Sequence, residues 1–251
     1  MKQTKIISIA NHKGGVGKTT TTVNVGAILA SKGKKVLLVD LDAQANLTSC
    51  IYHGDTEENI YTALTEKSEL PVIGIKEGLW LVPASLQLAM ADIELASAIA
   101  REKLLSNLLN NVAGDYDCVI IDCPPSLGLL TLNAFTASTD IIIPLVAEVL
   151  PFQGLAMIND FIRMVRARLN PDAHISGVLI TRWENTNLGK SVERQLRESL
   201  GAKVFETKIR KNVSLAEAPY EVKDIVEYAP KSNGAADYED FTKELCDKLG
   251  I

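Results

Sequence analysis

The chain has 251 residues, of which 47% are hydrophobic and 23% are charged, and its formal net charge is -5. This balance excludes wholesale disorder, and a chain of this length can bury a core without metal or disulfide staples. The four cysteines form no C-x-x-C pair and so indicate no disulfide framework, while the acidity means that any contact with DNA requires a local basic patch.

Short apolar runs alternate with helix-like segments along the chain, and several runs are nearly continuous Val, Ile and Leu, as in parallel strands covered on both faces. The predicted strands are 6–10, 35–41, 79–82, 118–122, 140–144, 175–181 and 203–207. The predicted helices are 19–32, 85–111, 126–138, 152–170, 187–200 and 235–249, with Gly33 and Gly201 as helix stops. This alternation predicts an α/β fold with a mostly parallel central sheet and helices on both faces, forming a single domain over 1–251.

No segment is typical of export or of a membrane span. The apolar run at 6–10 is too short for a signal peptide, and the longest apolar stretch, 141–152, is interrupted by two prolines and a glutamate. We therefore expect a cytoplasmic protein.

The first strand leads through a glycine-rich loop into a periodic helix, which is the order that a phosphate-binding loop requires. Gly14, Gly15 and Gly17 allow the main chain to fold around an anion. Lys18 would lie against the β- and γ-phosphates, and the Thr19 hydroxyl would bind Mg²⁺. A plain glycine-rich turn is the alternative. The predicted nucleotide contacts in this loop are Lys13, Gly14, Gly15, Val16, Gly17, Lys18, Thr19 and Thr20.

Four segments resemble one family of nucleotide-binding proteins. Residues 13–20 read K-G-G-V-G-K-T-T, which resembles the deviant Walker A motif of the ParA/MinD group of P-loop ATPases. Residues 36–48, 116–128 and 211–219 resemble the ParA/Soj branch of that group. The resemblance covers nearly the whole chain and implies a three-layered P-loop fold that hydrolyses ATP with Mg²⁺.

Three aspartates lie at the carboxyl ends of predicted strands, at the edge where open parallel sheets bind ligands. Asp122 ends a hydrophobic run typical of a Walker B strand and is predicted to hold Mg²⁺ with Thr19. The resemblance implies that Asp42 orients the attacking water near the metal, and it leaves Asp40 near the metal or structural. For Asp40 and Asp42 a capping or solvated-turn role is the alternative, and for Asp122 the alternative is an acidic residue that merely ends a strand.

Lys13 separates this group from common P-loop enzymes. The resemblance implies that it reaches across a homodimer interface to the phosphates of the partner's nucleotide. A cation supplied in this way neutralises transition-state charge and makes dimerisation depend on ATP. A solvated lysine is the alternative. The predicted catalytic residues are Lys13, Lys18 and Asp42.

The ParA/Soj resemblance also implies non-specific DNA binding and a ParB-like adaptor protein that stimulates slow hydrolysis. Solvated helix faces are the alternative reading of the basic residues concerned. In the segment 209–214, Arg210 replaces a proline that the resemblance places near the adenine pocket, and Ser214 replaces a basic residue. We expect Arg210 and Asn212 to contribute to the nucleotide pocket. The predicted DNA contacts are Arg163, Arg166, Lys190, Arg194, Arg197 and Lys211.

Two other functions are weighed against a nucleoid-associated partition ATPase. A MinD-like division regulator would end in a membrane-binding helix, but the terminal stripe of Phe241, Leu245 and Leu249 faces a mixed-charge surface, so we expect it to pack on the core. We therefore predict no membrane partner. An ATP-dependent metabolic amidase or ligase would need a pocket for a small acid. The phosphate loop begins near residue 12, so no helix-turn-helix extension is expected before it.

Overall fold

The computed structural model describes residues 4–66, 68–147 and 151–251. Within these ranges the chain forms one eight-stranded sheet in the order β3-β4-β2-β5-β1-β6-β7-β8. The strands are β1 (Lys5–Ile9), β2 (Val36–Asp40), β3 (Ile73–Lys76), β4 (Leu79–Val82), β5 (Cys118–Asp122), β6 (Asp140–Val146), β7 (His174–Trp183) and β8 (Val204–Arg210). All neighbouring strands are parallel except β3 and β4, so the predicted fold class is confirmed.

The helices connect the strands and cover both faces of the sheet. They are α1 (Lys18–Ser31), α2 (Asn46–Ile51), α3 (Ile60–Glu66), α4 (Ala91–Glu94), α5 (Leu104–Asn110), α6 (Leu129–Ala137), α7 (Pro151–Arg168), α8 (Asn187–Leu200), α9 (Ser214–Glu217), α10 (Ile225–Tyr228) and α11 (Asn233–Leu249). Short 3₁₀ turns occur among them, four of these between β4 and β5. The helix stops expected at Gly33 and Gly201 are confirmed, since both glycines follow helix ends with positive φ.

Two hydrophobic clusters lie on opposite faces of the sheet. One joins α3, α5, α6, α7 and α8 to the sheet through side chains such as Leu105, Phe135 and Ile158. The other holds α1 and α11, and in it Phe241 and Leu245 are fully buried. The terminal apolar stripe therefore packs on the core, as predicted. Among the described residues, no helix is both long enough and apolar enough to cross a membrane.

The predicted helix over 85–111 is wrong. The chain there forms 3₁₀ turns and two short helices, α4 and α5, and it breaks where Ala98 is extended and Ala100 adopts a positive φ of 53°. A helix of that length would be about 40 Å long, nearly twice the roughly 20 Å spanned by a strand of six or seven residues. Breaking the segment lets Leu88, Leu95 and Leu105 all reach the core.

Other differences are smaller. The strand β3 and the short helices α2, α3, α9 and α10 carry no strong periodicity and were not predicted. The last strand continues to Arg210 rather than ending at 207, which places Arg210 at the carboxyl edge of the sheet. The apolar stretch predicted over 141–152 includes residues 148–150, which lie outside the described residues.

Candidate functional site at the carboxyl edge of the sheet

The loop between β1 and α1 has a main-chain shape that depends on glycine. Gly15 and Gly17 have φ values of 71° and 87°, in the left-handed region that strains any residue with a side chain. Gly17 precedes α1 without a side-chain cap, so the first amide groups of the helix stay open toward the loop. The helix terminus and the loop together form an anion-binding concavity.

Two side-chain hydrogen bonds tie this loop to β6 and β7. Asn11 donates through Nδ2 to the Pro144 carbonyl on β6 at 2.7 Å. The Thr181 hydroxyl on β7 donates to the Val16 carbonyl at 2.8 Å. Both residues follow apolar strand segments at the carboxyl edge, and that position is the sequence signal that could have identified them.

Lys18 lies at the centre of the loop, almost fully buried. Its Nζ donates to the Lys13 carbonyl at 3.2 Å. Burial lowers the pKa of Lys18, although the charges of Asp122, Cys123 and Asp42 oppose the shift. The loop therefore holds a desolvated cation beside its open amide groups.

Thr19 and Asp122 meet at the end of β5. The Thr19 hydroxyl donates to Asp122 Oδ2 at 2.6 Å, whereas the buried Asp122 Oδ1 has no hydrogen-bond partner in the described part of the chain. Burial and then the Asp40 charge raise the pKa of Asp122 well above its ordinary value, against the hydrogen bond from Thr19. A hydroxyl and an unsatisfied carboxylate oxygen are the hard ligands that Mg²⁺ takes, so the residues fit this metal.

Asp40 and Asp42 have different surroundings. Asp40 is fully buried and accepts hydrogen bonds from the Thr48 amide at 2.9 Å, the Thr48 hydroxyl at 2.8 Å and the Asp42 amide at 3.1 Å. Burial raises the pKa of Asp40 to about 6, against these hydrogen bonds. Its place is therefore structural, one of the two roles that the sequence left open.

Asp42 lies beyond the end of β2, half-exposed, and accepts from the Gln44 amide at 3.0 Å. Its side chain lines a cavity of about 680 Å³ above the loop. The same cavity is lined by most of the predicted nucleotide contacts: Gly14, Gly15, Gly17, Lys18, Thr19, Thr20, Arg210 and Asn212. Val16 instead is buried, and it holds the loop through its carbonyl.

Arg210 is bound within the chain. Its guanidinium donates to both carboxylate oxygens of Asp237 on α11, through Nε at 3.0 Å and through one terminal nitrogen at 2.6 Å. The hydrogen bonds to Asp237 raise the pKa of Arg210. Arg210 therefore joins β8 to α11 at the cavity rim. The Asn212 side chain accepts from the Ser214 amide at 2.8 Å and shapes the turn before α9.

The six predicted DNA contacts do not form one surface. Arg166, near the end of α7, lines a cavity at the amino ends of β1, β6 and β7 with Lys5 and His174. Lys211 follows β8 and lines the nucleotide-loop cavity at the opposite edge of the sheet, within 2.8 Å of Glu184.

The remaining four lie on α7 and α8. Arg197 is bound within the chain, since it contacts Glu193 at 3.2 Å and Glu206 at 2.9 Å. The other three residues, Arg163, Lys190 and Arg194, have exposed side chains. Among the described residues, each of them makes one long ion pair at most.

Comparisons with known proteins place the chain among P-loop ATPases. A family model described as an AAA domain matches residues 4–175. The chain is 47% identical to the sporulation initiation inhibitor protein Soj of Bacillus subtilis, over 96% of this chain and 98% of the relative. It is 42% identical to the chromosome-partitioning ATPase Soj of Thermus thermophilus, over 95% of this chain and 94% of the relative.

Solved structures give the same fold. The cobyrinic acid a,c-diamide synthase of Mycobacterium smegmatis, crystallised with ADP and magnesium, has a TM-score of 0.86 and is 34% identical. The match covers 99% of this chain and 97% of that chain.

Proposed function

The chain belongs to the Soj/ParA family of chromosome-partitioning ATPases, and from this premise we propose that it couples ATP hydrolysis to the positioning of DNA. In the proposed cycle, ATP assembles a homodimer that binds DNA non-specifically. A ParB-like adaptor then stimulates hydrolysis and release. The cargo would be a chromosome, a plasmid or another large DNA.

The observation that carries the proposal is the arrangement of Lys18, Thr19 and Asp122 around the loop. The loop offers open amide groups and a buried cation, and within the ranges that the structure describes one oxygen of Asp122 stays unsatisfied beside the Thr19 hydroxyl. These amide groups and this cation would balance the negative charge of a bound triphosphate in a site of low dielectric constant. The magnesium and ADP in the cobyrinic acid a,c-diamide synthase structure support the same assignment.

Each residue has a proposed role. Lys18 and the amides of residues 14–20 bind the phosphates. Thr19 and Asp122, with Asp42 nearby, would hold Mg²⁺, which neutralises charge on the phosphate oxygens when bound. Asp42, half-exposed at the cavity wall, orients the attacking water. Asp40 holds Thr48 and so fixes the segment that carries Asp42.

Lys13 supplies a second cation in the proposed dimer. The Lys13 amide donates to Oδ1 of Asn11, two residues earlier, at 3.0 Å. The Lys13 carbonyl accepts from Lys18. The two lysines thus share one rigid loop. A triphosphate on the partner protomer would attract the Lys13 ammonium, so dimerisation would follow nucleotide state.

The dimer proposal is tested by sedimentation of wild type and Lys13→Ala with a non-hydrolysable ATP analogue. We expect the wild type to dimerise only with nucleotide and the variant to remain monomeric. Lys103→Ala, an exposed lysine elsewhere, is the matched control and should dimerise normally. An unchanged dimer in Lys13→Ala would contradict the role.

DNA binding is proposed to depend on the exposed cations Arg163, Lys190 and Arg194 more than on Arg197, whose guanidinium is already paired with Glu193 and Glu206. Filter binding of random-sequence DNA at low and moderate salt tests this. We expect ATP-dependent retention that weakens steeply as salt rises, because phosphate contacts release counterions. Retention without ATP, or none at low salt, would count against the proposal.

An ATP-dependent amide-forming ligase is the second candidate, because the M. smegmatis enzyme shares the fold over nearly the whole chain. Such an enzyme would hydrolyse ATP in proportion to an added small carboxylic acid and an amine donor. The partition ATPase proposed here would be stimulated by DNA and its adaptor instead.

A further inference from the structure

His12 lies in the phosphate loop but has no role in the chemistry proposed above. It stands between Asn11, which is bonded to β6, and Lys13, the lysine proposed to act across the dimer. Its ring contacts α7. If Gly154 of α7 carried a Cβ, that atom would stand 2.0 Å from His12 Cε1, 2.9 Å from Nδ1 and 3.1 Å from Nε2. The imidazole therefore lies on bare helix backbone that only glycine exposes.

The ring is also held at a cost. Its Nδ1 is buried, with no hydrogen-bond partner in the ranges that the structure describes. A buried nitrogen without a hydrogen-bond partner has lost its water and gained nothing in return, which destabilises the folded chain. Such a group calls for an explanation, and a fixed orientation of a functional loop is one.

The neighbours of His12 are fixed from other directions. Asn11 is bonded to the Pro144 carbonyl of β6, the Lys13 amide is bonded to Asn11, and the Lys13 carbonyl accepts from Lys18. The His12–Gly154 contact connects this three-residue segment to α7. With it, the main chain at Lys13 is set jointly by β6, by α7 and by Lys18.

We propose that His12 is a positioning residue, whose packing on Gly154 of α7 sets the place of Lys13 for turnover. This inference rests on the proposed ATPase function. The amides and Lys18 that bind nucleotide do not involve the His12 ring, so its loss should affect turnover and leave nucleotide affinity intact. A misplacement of about 1 Å in a catalytic group can lower a rate by about a hundredfold.

The test compares His12→Ala, His12→Gln, Gly154→Ala and the double variant His12→Ala/Gly154→Ala in full-length protein. ATP turnover at saturating nucleotide, affinity for a fluorescent ATP analogue with Mg²⁺, and the thermal midpoint are measured for each. Gly114→Ala is the control, because a Cβ there meets nothing within 4 Å.

We expect His12→Ala and Gly154→Ala each to lower turnover by about tenfold to a hundredfold with nearly unchanged nucleotide affinity. His12→Gln, which keeps a polar side chain of similar reach, should lose less. The double variant should match His12→Ala, because the added methyl acts only through the ring. Alanine is a better helix former than glycine, so a loss of turnover in Gly154→Ala would not come from a weakened helix.

Normal turnover in His12→Ala would overturn the inference, as would a parallel loss of turnover and nucleotide affinity, or additive losses in the double variant. If His12→Ala fails to fold, His12→Gln and Gly154→Ala give the same comparison. A wild-type chain that neither binds nor hydrolyses ATP would instead refute the proposed function itself.

Discussion

Asp40 and Asp122 are register partners on the neighbouring strands β2 and β5, at the same edge of the sheet, yet their roles differ. The Thr48 amide and hydroxyl both donate to Asp40 Oδ2 and the Asp42 amide donates to Oδ1, so Asp40 stabilises the turn after β2. Asp122 accepts from the Thr19 hydroxyl through one oxygen, and its other oxygen has no hydrogen-bond partner among the described residues. The role of each aspartate thus depends on which residue returns to it from elsewhere in the chain.

Cys50 on α2 lines the nucleotide cavity, and its reactivity is a residue-scale prediction. Burial, with smaller contributions from the charges of Asp122 and Asp40, raises the pKa of the Cys50 thiol to about 11. At pH 8 the reactive thiolate is therefore scarce, and we expect alkylation by iodoacetamide about a hundredfold slower than for an ordinary exposed thiol. Peptide mapping by mass spectrometry measures the rate at each pH.

The unfolded chain in urea is the control for Cys50. There the rate should begin to level off near pH 9, because an ordinary thiol with a pKa of about 8.5 is already mostly ionised at that pH. In the folded protein the rate should still be rising at pH 10. A folded rate that levels off at pH 9 would show that the cavity does not suppress ionisation of this thiol.

At the scale of elements, the phosphate loop is held by β6, which neighbours β1 in the sheet, and by β7, the next strand beyond it, although both are distant from β1 in the sequence. Pro144 of β6 accepts from Asn11, and Thr181 of β7 donates to Val16. The loop keeps its shape because β6 and β7 end at the same edge. The position of β7 in turn depends on close packing with β8 at Gly177.

Gly177→Ala is predicted to destabilise the protein. A Cβ there would stand 2.1 Å from Cε2 of Phe205, a fully buried ring that also contacts Phe241 edge to face at a centroid distance of 4.9 Å. The ring cannot move without disturbing α11, so we expect a loss of about 1–3 kcal/mol in the free energy of unfolding. Urea denaturation followed by circular dichroism measures it.

Gly114→Ala is the matched substitution and should change the free energy of unfolding by no more than about 0.5 kcal/mol. Adding Phe205→Leu to Gly177→Ala should recover part of the loss by making room for the methyl group. If Gly177→Ala were as stable as the wild type, the Phe205 ring would be able to move aside without loss of packing, and the prediction would be wrong.

On the scale of the whole molecule, one sheet carries both hydrophobic clusters. Its strands contribute alternate side chains to each face; on β2, for example, Leu37 packs in one cluster and Leu38 in the other. Neither layer can lose its sheet surface without exposing the other. We therefore propose that residues 1–251 unfold as a single domain.

The two tryptophans test this proposal, since Trp80 lies on β4 and Trp183 on β7, five strand spacings or about 24 Å apart. Single-tryptophan variants, Trp80→Phe and Trp183→Phe, report unfolding from opposite ends of the sheet. In each variant we expect the fluorescence midpoint in urea to coincide with its circular dichroism midpoint. Separate midpoints at one end would indicate two independently folding units.

Much of this architecture could be predicted from local patterns. Short apolar runs identified seven of the eight strands described, and the run from Lys13 to Thr20 located the phosphate loop, because both signals lie within a few neighbouring residues. The broken segment 85–111 could not be predicted in this way. Its apolar residues fit a helical period, but the length available on the sheet does not admit a helix of that size.

Contacts between residues that are distant in the sequence could not be predicted either, because local patterns carry no information about them. Nothing near Arg210 in the sequence indicates Asp237, and nothing near His12 indicates Gly154; α11 and α7 bring these partners in after 27 and 142 residues. Local chemistry specified which groups can bind phosphate and metal. Packing of the layers specified which of those groups are already paired and which stay available, because pairing depends on distance in space and the linear order of residues does not encode it.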